Sequence, residues 1–412
     1  FKPDFNPDLL CSMNYICHLT CVSMDLARKV GGFDPDFDGS QDYDFVFRCV
    51  EQAKHIVHIP KVLYHWRSYD QSTAGNAASK EYAFESGRQA IEAHLQRIGA
   101  KGTVKNGIDA GVYHVTYDLP YEPLVSIIIP NKDHAGDLRR CIESIYWQSY
   151  QNVEIVIVEN GSTEEATHAY YKELEAGTGA VQVVTWDKPF NYSAVNNYGA
   201  SFAKGEYLLL LNNDIEWIRE DSLAEMLGYA MRPGTGAVGA KLFYGDDTIQ
   251  HAGVIIGIGG VAGHAFQRQS KDDRTYMYRA FCTQDYSCVT AACLLMKKSI
   301  FEEIGGFEEK LAYAFNDVDL CLRIREKGYL VVYNSEAWLY HYESKSRGLE
   351  DTPEKVARFN QEMDYCRSRW RDILRDGDPY YSPNLTLEWQ DFSCRSRAEI
   401  RAAKMREEDR PI

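Results

Sequence analysis

Apolar positions gather in short runs along the middle of the chain. Val125-Ser126-Ile127-Ile128-Ile129, stopped at Pro130, predicts a strand buried on both faces. Leu138, Cys141, Ile142 and Ile145 then recur at helical spacing. Val153–Val158 reads as a second strand, Val181–Thr185 as a third and Tyr207–Leu211 as a fourth, with a helix over Ser193–Ala203 ahead of Gly205. Strand alternating with helix predicts an α/β fold, a mostly parallel sheet with right-handed crossovers and helices on its faces. Such sheets bind ligands beyond the carboxyl ends of their strands. The residues to inspect are therefore Pro130-Asn131-Lys132-Asp133, Glu159-Asn160-Gly161-Ser162, Phe190-Asn191-Tyr192-Ser193 and Asn212-Asn213-Asp214. Turn and helix-cap chemistry uses the same residue types, so each group is weaker alone than the four together.

An internal repeat divides the chain. Gly31-Gly32-Phe33, Gln41-Asp42-Tyr43-Asp44-Phe45-Val46-Phe47-Arg48 and Leu63-Tyr64-His65 recur as Gly305-Gly306-Phe307, Asn316-Asp317-Val318-Asp319-Leu320-Cys321-Leu322-Arg323 and Leu339-Tyr340-His341. The strand–helix series stands only before the second copy. The expected domains are therefore 1–75, the C-terminal half of a module; 76–122, a linker with a helix over Ser79–Ile98, a turn-rich connector over Gly102–Gly111 and a strand over Val112–Tyr117; 123–350, one complete module; and 351–412, a helical and irregular extension. A chain that opens with Phe1 rather than Met reads as a fragment.

Composition narrows the function. A formal net charge of −15 leaves no basic excess to neutralise phosphates, which argues against nucleic acid as a partner. It does not exclude a nucleotide whose charge is screened by a divalent cation. Eleven cysteines occur without a CxxC pair or zinc spacing, and Cys17, Cys21, Cys288 and Cys293 have apolar neighbours, so reduced, buried thiols are expected. No apolar run approaches the ~20 residues that span a bilayer. The glycines of 257–263 have the wrong spacing for a dinucleotide fingerprint, and His251 and His264 beside them are expected to be structural.

Taken together, Val-Ser-Ile-Ile-Ile-Pro, Val-Glu-Asn-Gly-Ser, Asn-Asn-Asp after Leu-Leu-Leu-Leu, and Gly-Gly-Phe with Asn-Asp-Val-Asp-Leu-Cys-Leu-Arg resemble glycosyltransferase family 2, on the GT-A fold. The similar tandem proteins serve bacterial surface-polysaccharide assembly, including O-antigens and rhamnose-rich glycans. The resemblance implies a nucleoside-diphosphate-sugar donor, a glycan or lipid-linked glycan acceptor, a cytoplasmic setting with attachment to the inner membrane face left open, and a bound Mn²⁺ or Mg²⁺. It implies that Pro130, Lys132, Asp133, Glu159, Asn160, Asn191, Asn212 and Asn213 hold the donor nucleotide, with Asn160 and Asn212 each standing where Asp is common. Asp214 and His341 are the implied metal ligands, and Ala291, Gly305, Gly306 and Asn316 the wall around acceptor and sugar.

Asp317 is the implied general base of an inverting transfer. A carboxylate with an ordinary pKa of about 3.9 is ionised at neutral pH and ready to accept a hydroxyl proton. Asp317 and Asp319 also open a helix, where negative charge is favourable in itself. Two other classes stay open at this level, a non-catalytic glycan-binding scaffold and a sugar nucleotidyltransferase. The second expects a glycine-rich loop directly after the first strand, where this chain has Pro130-Asn131-Lys132-Asp133.

Overall fold

The structure, a computed structural model, describes residues 1–65, 81–177, 180–343 and 352–408. The expected domain ends near 75 and 350 lie outside these residues. Two compact units emerge, one of 1–118 with 281–284 and 379–384, the other of 119–280, 285–378 and 385–412.

The first unit contains helices α1 (Pro7–Ser12), α2 (Met24–Val30), α3 (Gln41–Val50) and α4 (Glu81–Arg97), and strands β1 (Gly102–Asn106) and β2 (Tyr113–Tyr117). The turn-rich connector of the sequence reading is in fact half a hairpin. β1 pairs antiparallel with β2 from Gly102↔Tyr117 to Asn106↔Tyr113, so the glycines bound the strand rather than prevent it.

The second unit carries the large sheet. Its elements are β3 (Val125–Asn131), α5 (Ala135–Tyr146), β4 (Val153–Glu159), α6 (Glu165–Glu175), β5 (Val181–Thr185), α7 (Tyr192–Ala200), β6 (Tyr207–Leu211), β7 (Ile215–Trp217), α8 (Ser222–Ala230), β8 (Thr235–Phe243), β9 (Ile249–His251), β10 (Val254–Ile256), β11 (Ala262–His264), β12 (Cys293–Lys297), α9 (Lys298–Glu303), α10 (Asn316–Glu326), β13 (Leu330–His341), α11 (Pro353–Arg369) and α12 (Arg371–Asp376). Across the sheet the order is β5-β4-β3-β6-β12-β8-β13. The first four strands run parallel, as the strand–helix alternation predicts. β12 enters antiparallel to both β6 and β8, and β8 is parallel to β13, so the sheet is mixed. Every residue of β6 and of β8 is buried, which fits strands covered on both faces.

Gly199 lets α7 ride close on the parallel strands, since a Cβ there would stand 2.6 Å from Ile128 and 2.7 Å from Val158. The helix expected over Thr352–Leu374 is two helices, broken at Trp370 (φ −106°, ψ 28°). All eleven cysteines are free thiols; eight are buried, but Cys17 is half-buried and Cys21 and Cys394 are exposed. Their apolar neighbours in sequence are not packed over them. Among the described residues no helix is long and apolar enough to cross a membrane.

Asp319, on the first turn of α10, does more than favour a helix terminus. It is fully buried, accepts from Arg323 Nε at 2.8 Å and from Trp370 Nε1 at 3.0 Å, and stands 3.2 Å from Arg369 Nε. Removing one member of a buried, hydrogen-bonded ion pair leaves the other charge uncompensated. Asp319→Ala should therefore lower unfolding stability by about 3–5 kcal/mol. Denaturant titration checks this, and a change below about 1 kcal/mol would assign the carboxylate to the surface class of ion pairs.

Candidate functional site

Strand register assembles the site. β12 pairs with β6 from Lys297↔Tyr207 to Cys293↔Leu211, and one step further Asn212 N–H donates to Ala292 O at 3.0 Å. That pairing brings Ala291 to the Asn212-Asn213-Asp214 turn. β13 pairs antiparallel with β7, setting His341 opposite Ile215, and Tyr342 N–H donates to Asp214 O at 3.0 Å. Residues about 80 and 130 positions away in sequence thus close on the end of β6.

Asp214 and His341 are both nearly buried, and His341 Nε2 lies 3.2 Å from Asp214 Oδ1. The other ring nitrogen, Nδ1, is 2.6 Å from Gln250 Oε1, a carbonyl that can only accept. In the neutral ring the proton therefore sits on Nδ1, and Nε2 offers its lone pair, which accepts from Asn212 Nδ2 at 3.2 Å. Gln250 reaches this place through a bulge. β8 and β9 pair Leu242 with His251 but Phe243 with Ile249, leaving Gln250 as the extra residue with its side chain re-aimed.

With that tautomer, Asp214 Oδ1 and His341 Nε2 present two lone-pair atoms 3.2 Å apart. Adjacent ligands of an octahedral ion at about 2.1 Å stand about 3 Å apart, so this pair fits a divalent cation. An imidazole beside a carboxylate is tolerated by Mn²⁺ better than by Mg²⁺. Among the described residues no cluster of three or more His, Cys, Asp or Glu side chains forms.

Asp317 reaches the same neighbourhood from the start of α10. Its Oδ2 accepts from Ala291 N–H at 3.3 Å and its Oδ1 from Val318 N–H at 2.8 Å, while Asn316 Oδ1 accepts from Asp317 N–H at 2.8 Å. Tyr192 joins Ala291 to the Asn212 side chain. Its hydroxyl donates to Ala291 O at 2.9 Å and lies 3.4 Å from Asn212 Oδ1. Burial raises the Tyr192 phenol far above its usual pKa, and the charges of Asp317 and Asp214 raise it further.

A second network occupies the ends of β3 and β4. Asn213 Nδ2 donates to Asn131 Oδ1 at 2.6 Å, and Asn131 Nδ2 donates to the Tyr171 hydroxyl at 2.7 Å. Glu159 accepts from Tyr171 at 2.5 Å and from Ser162 Oγ at 2.6 Å. Asn160 Nδ2 donates to Trp186 O and Lys188 O, both at 2.9 Å. Glu159, Asn160, Tyr171, Thr185, Trp186 and Lys188 line a cavity of about 590 Å³. That is the usual size of a small-molecule pocket.

The other sequence candidates are spread more widely. Pro130 lies in β3 opposite Val158, and Lys132 is exposed beyond it. Asp133, at φ 55°, turns to accept from Thr163 N–H at 2.6 Å and Glu164 N–H at 2.9 Å, and these bonds, the Glu164 one first, hold its carboxyl below the usual range. Asn191 caps α7 by accepting from Ala194 N–H at 3.0 Å and donates to Glu309 O at 2.8 Å. Gly305 and Gly306 (φ 78° and 68°) stop α9, and a Cβ on Gly306 would stand 2.6 Å from Asn197 Oδ1. Asp214, His341, Asp317, Asn316, Ala291 and Asn212 converge; Glu159, Asn160 and Asn213 belong to the neighbouring network.

Sequence reasoning passed over Gln250 and did not give Tyr192 a role. It also left His251 and His264 without a partner pattern. They partner each other, Nδ1 to Nδ1 at 2.9 Å. Burial pushes the pKa of both below the ordinary value, His251 far below, and His341 lowers each further, while Asp317 partly opposes the shift at His264. Both rings are thus neutral in the folded protein and take up protons on unfolding below the ordinary histidine pKa of about 6.5. Stability is full above that pH and falls as pH drops through it, by up to about 1.4 kcal/mol per pH unit for each histidine. Urea midpoints from pH 7.5 to 5.5 should fall with a shallower slope in His251→Gln than in the parent, and identical slopes would show that His251 is not buried neutral.

Residues 126–305 match the family model described as glycosyl transferase family 2. An uncharacterised protein of Sinorhizobium fredii, y4gI, is 48% identical over 95% of this chain, which covers 44% of that protein. The O-antigen biosynthesis protein RfbC of Myxococcus xanthus is 37% identical over 97% of this chain, which covers 31% of its length. The chain therefore spans less than half of either relative. Among solved structures, GalNAc-T7 with UDP, GalNAc and Mn²⁺ shares 14% identity at a TM-score of 0.50, over 74% of this chain and 61% of that one. With the mixed sheet and the convergence at the end of β6, these likenesses show that the chain carries a glycosyl transferase family 2 domain on the GT-A fold.

Proposed function

We propose that the second unit transfers a sugar, with inversion, from a nucleoside-diphosphate sugar to a growing cell-surface glycan. The observation that carries this reading is Ala291, whose N–H donates to Asp317 and whose carbonyl accepts from Tyr192, while the Tyr192 hydroxyl also reaches Asn212 in the turn that holds Asp214. A candidate base and the turn of a candidate metal ligand thus meet at one residue. The likeness to an O-antigen biosynthesis protein supports a surface polysaccharide as acceptor.

In this reading the cavity at the ends of β4 and β5 receives the nucleoside, with Asn160 and Glu159 on its wall. Asn212 and Asn213 lie between that cavity and Asp214, where the sugar and diphosphate of the donor would lie. Asp214 and His341 would hold Mn²⁺ or Mg²⁺, which when bound stabilises the charge that develops on the departing diphosphate. Asp317 takes the proton of the acceptor hydroxyl as that oxygen bonds to the anomeric carbon and the bond to the diphosphate breaks. The N–H groups of Ala291 and Val318 hold its carboxylate in place.

Asp317→Asn should leave nucleoside-diphosphate affinity within about twofold and reduce turnover by about 10²–10⁴, the usual worth of a general base. Near-normal turnover would end that assignment. Asp214→Ala should abolish the Mn²⁺ dependence of nucleoside-diphosphate binding in calorimetry. Gln250→Leu should weaken Mn²⁺ binding by about 10–100-fold, as loss of a partner that orients a ligand does, and Gln250→Glu should restore most of it. Unchanged Mn²⁺ affinity in Gln250→Leu would show that the His341 tautomer is fixed otherwise.

A further inference from the structure

The repeat extends to atomic detail. In the complete module α9 stops at Gly305-Gly306, with Gly306 N–H donating to Phe301 O at 2.8 Å. On α10 the buried Asp319 holds Arg323 Nε at 2.8 Å, and Arg323 Nη1 donates back to Ile304 O at 2.6 Å. In the first unit α2 stops at Gly31-Gly32 (φ 89° and 73°), with Gly32 N–H donating to Ala27 O at 3.1 Å. On α3 the buried Asp44 holds Arg48 Nε at 2.8 Å, and Arg48 Nη1 donates back to Val30 O. One device, a helix stop clamped by an Asp–Arg pair on the next helix, is built twice.

The surroundings differ completely. In the complete module Leu294, Val331, Val332 and Leu339 are fully buried, because β12 lies between β6 and β8, and β13 beside β8 and β7. Counting from the shared motifs, their counterparts in the first copy are Thr20, Ile56, Val57 and Leu63. Residues 18–23 and 55–65 form no strand. Val57 is 80% exposed, Leu63 and Val62 66%, Leu19 64% and Ile59 59%. An apolar strip of this extent on a folded protein marks a surface built to be covered.

We propose that this strip is the docking face for a second α/β half-sheet of the kind formed by residues 125–243, carried on a longer polypeptide that contains this chain. The copied helix stop and ion pair identify the occupant, because the same framework in the complete module is covered by that half-sheet. The segments at 19–23 and 55–65 are strand-like in sequence, and a sheet edge satisfies both their side chains and their backbones. The source follows from the relatives: proteins that align with 95% and 97% of this chain extend far beyond it, since it covers 44% and 31% of them. Docking would place Asp42 and His65 where the complete module has Asp317 and His341. That last consequence, a second transfer site, rests on the proposed function; the docking face does not.

Thiol labelling read by peptide mass spectrometry tests the face without reference to activity. Val57→Cys and Leu63→Cys should each label in the 412-residue chain about as fast as the exposed Cys394. In the polypeptide translated from the complete reading frame they should label at least about tenfold more slowly, as groups reached only by local opening do. Equal labelling in both, or a frame that adds no α/β segment, overturns the proposal. Protection in the 412-residue chain that grows with its concentration also overturns it, in favour of a second copy as occupant. As a second measurement, Val57→Asp combined with Leu63→Asp should leave the thermal midpoint of the shorter chain unchanged and lower that of the longer one. Loss of glycosyl transfer would leave each of these readings as it stands, so the two proposals fail separately.

Discussion

The site depends on one pairing, the antiparallel register of β12 on β6. It carries past the end of β6 through the bond from Asn212 N–H to Ala292 O, and so fixes which residue faces the Asn212-Asn213-Asp214 turn. A slip of one residue would carry Ala291 to the opposite face of the sheet and break its N–H bond to Asp317. The register therefore sets the position of Ala291, and Ala291 holds Asp317.

The Asp214–His341 pair is held by a different logic. His341 comes opposite β7 by strand pairing, but its usefulness as a ligand depends on which nitrogen bears the proton. Gln250 decides that, and Gln250 points at the ring because β9 carries one residue too many for its partner. The bulge is thus part of the site. The His251–His264 pair next to it adds one buried and one half-buried ring to the same wall.

The two repeat copies show how little of a module is needed to specify a local framework. The Gly-Gly stop, the two flanking helices and the Asp–Arg pair form in both units, one within a large sheet and one without. Their contacts are close in sequence, between residues four to nineteen apart, and need no sheet to bring them together. The apolar segments on either side do need one. In the complete module they are strands, and in the first copy they remain an uncovered strip.

Much of this was legible in the residues alone. The β3, β4, β5 and β6 runs, the α10 start and the Asn-Asn-Asp turn follow from apolar patterning and punctuation, because local burial and local backbone preference agree there. The pattern also pointed to Asp214, Asp317 and His341, through motif and repeat. What the sequence could not determine was anything set by register between distant segments. Gly102–Gly111 looked like a connector because glycines mask a strand whose pairing partner lies further on. The antiparallel entry of β12 was invisible, since a buried strand reads the same in either direction. Gln250 had no motif, because its role comes from a mismatch between two strands rather than from its neighbours in the chain. Glu159 and Asp133, read as donor-facing, are engaged by Ser162, Tyr171, Thr163 and Glu164, partners that only folding brings within reach. Local free energy is written in consecutive residues; the geometry of a site is decided by which strands lie side by side.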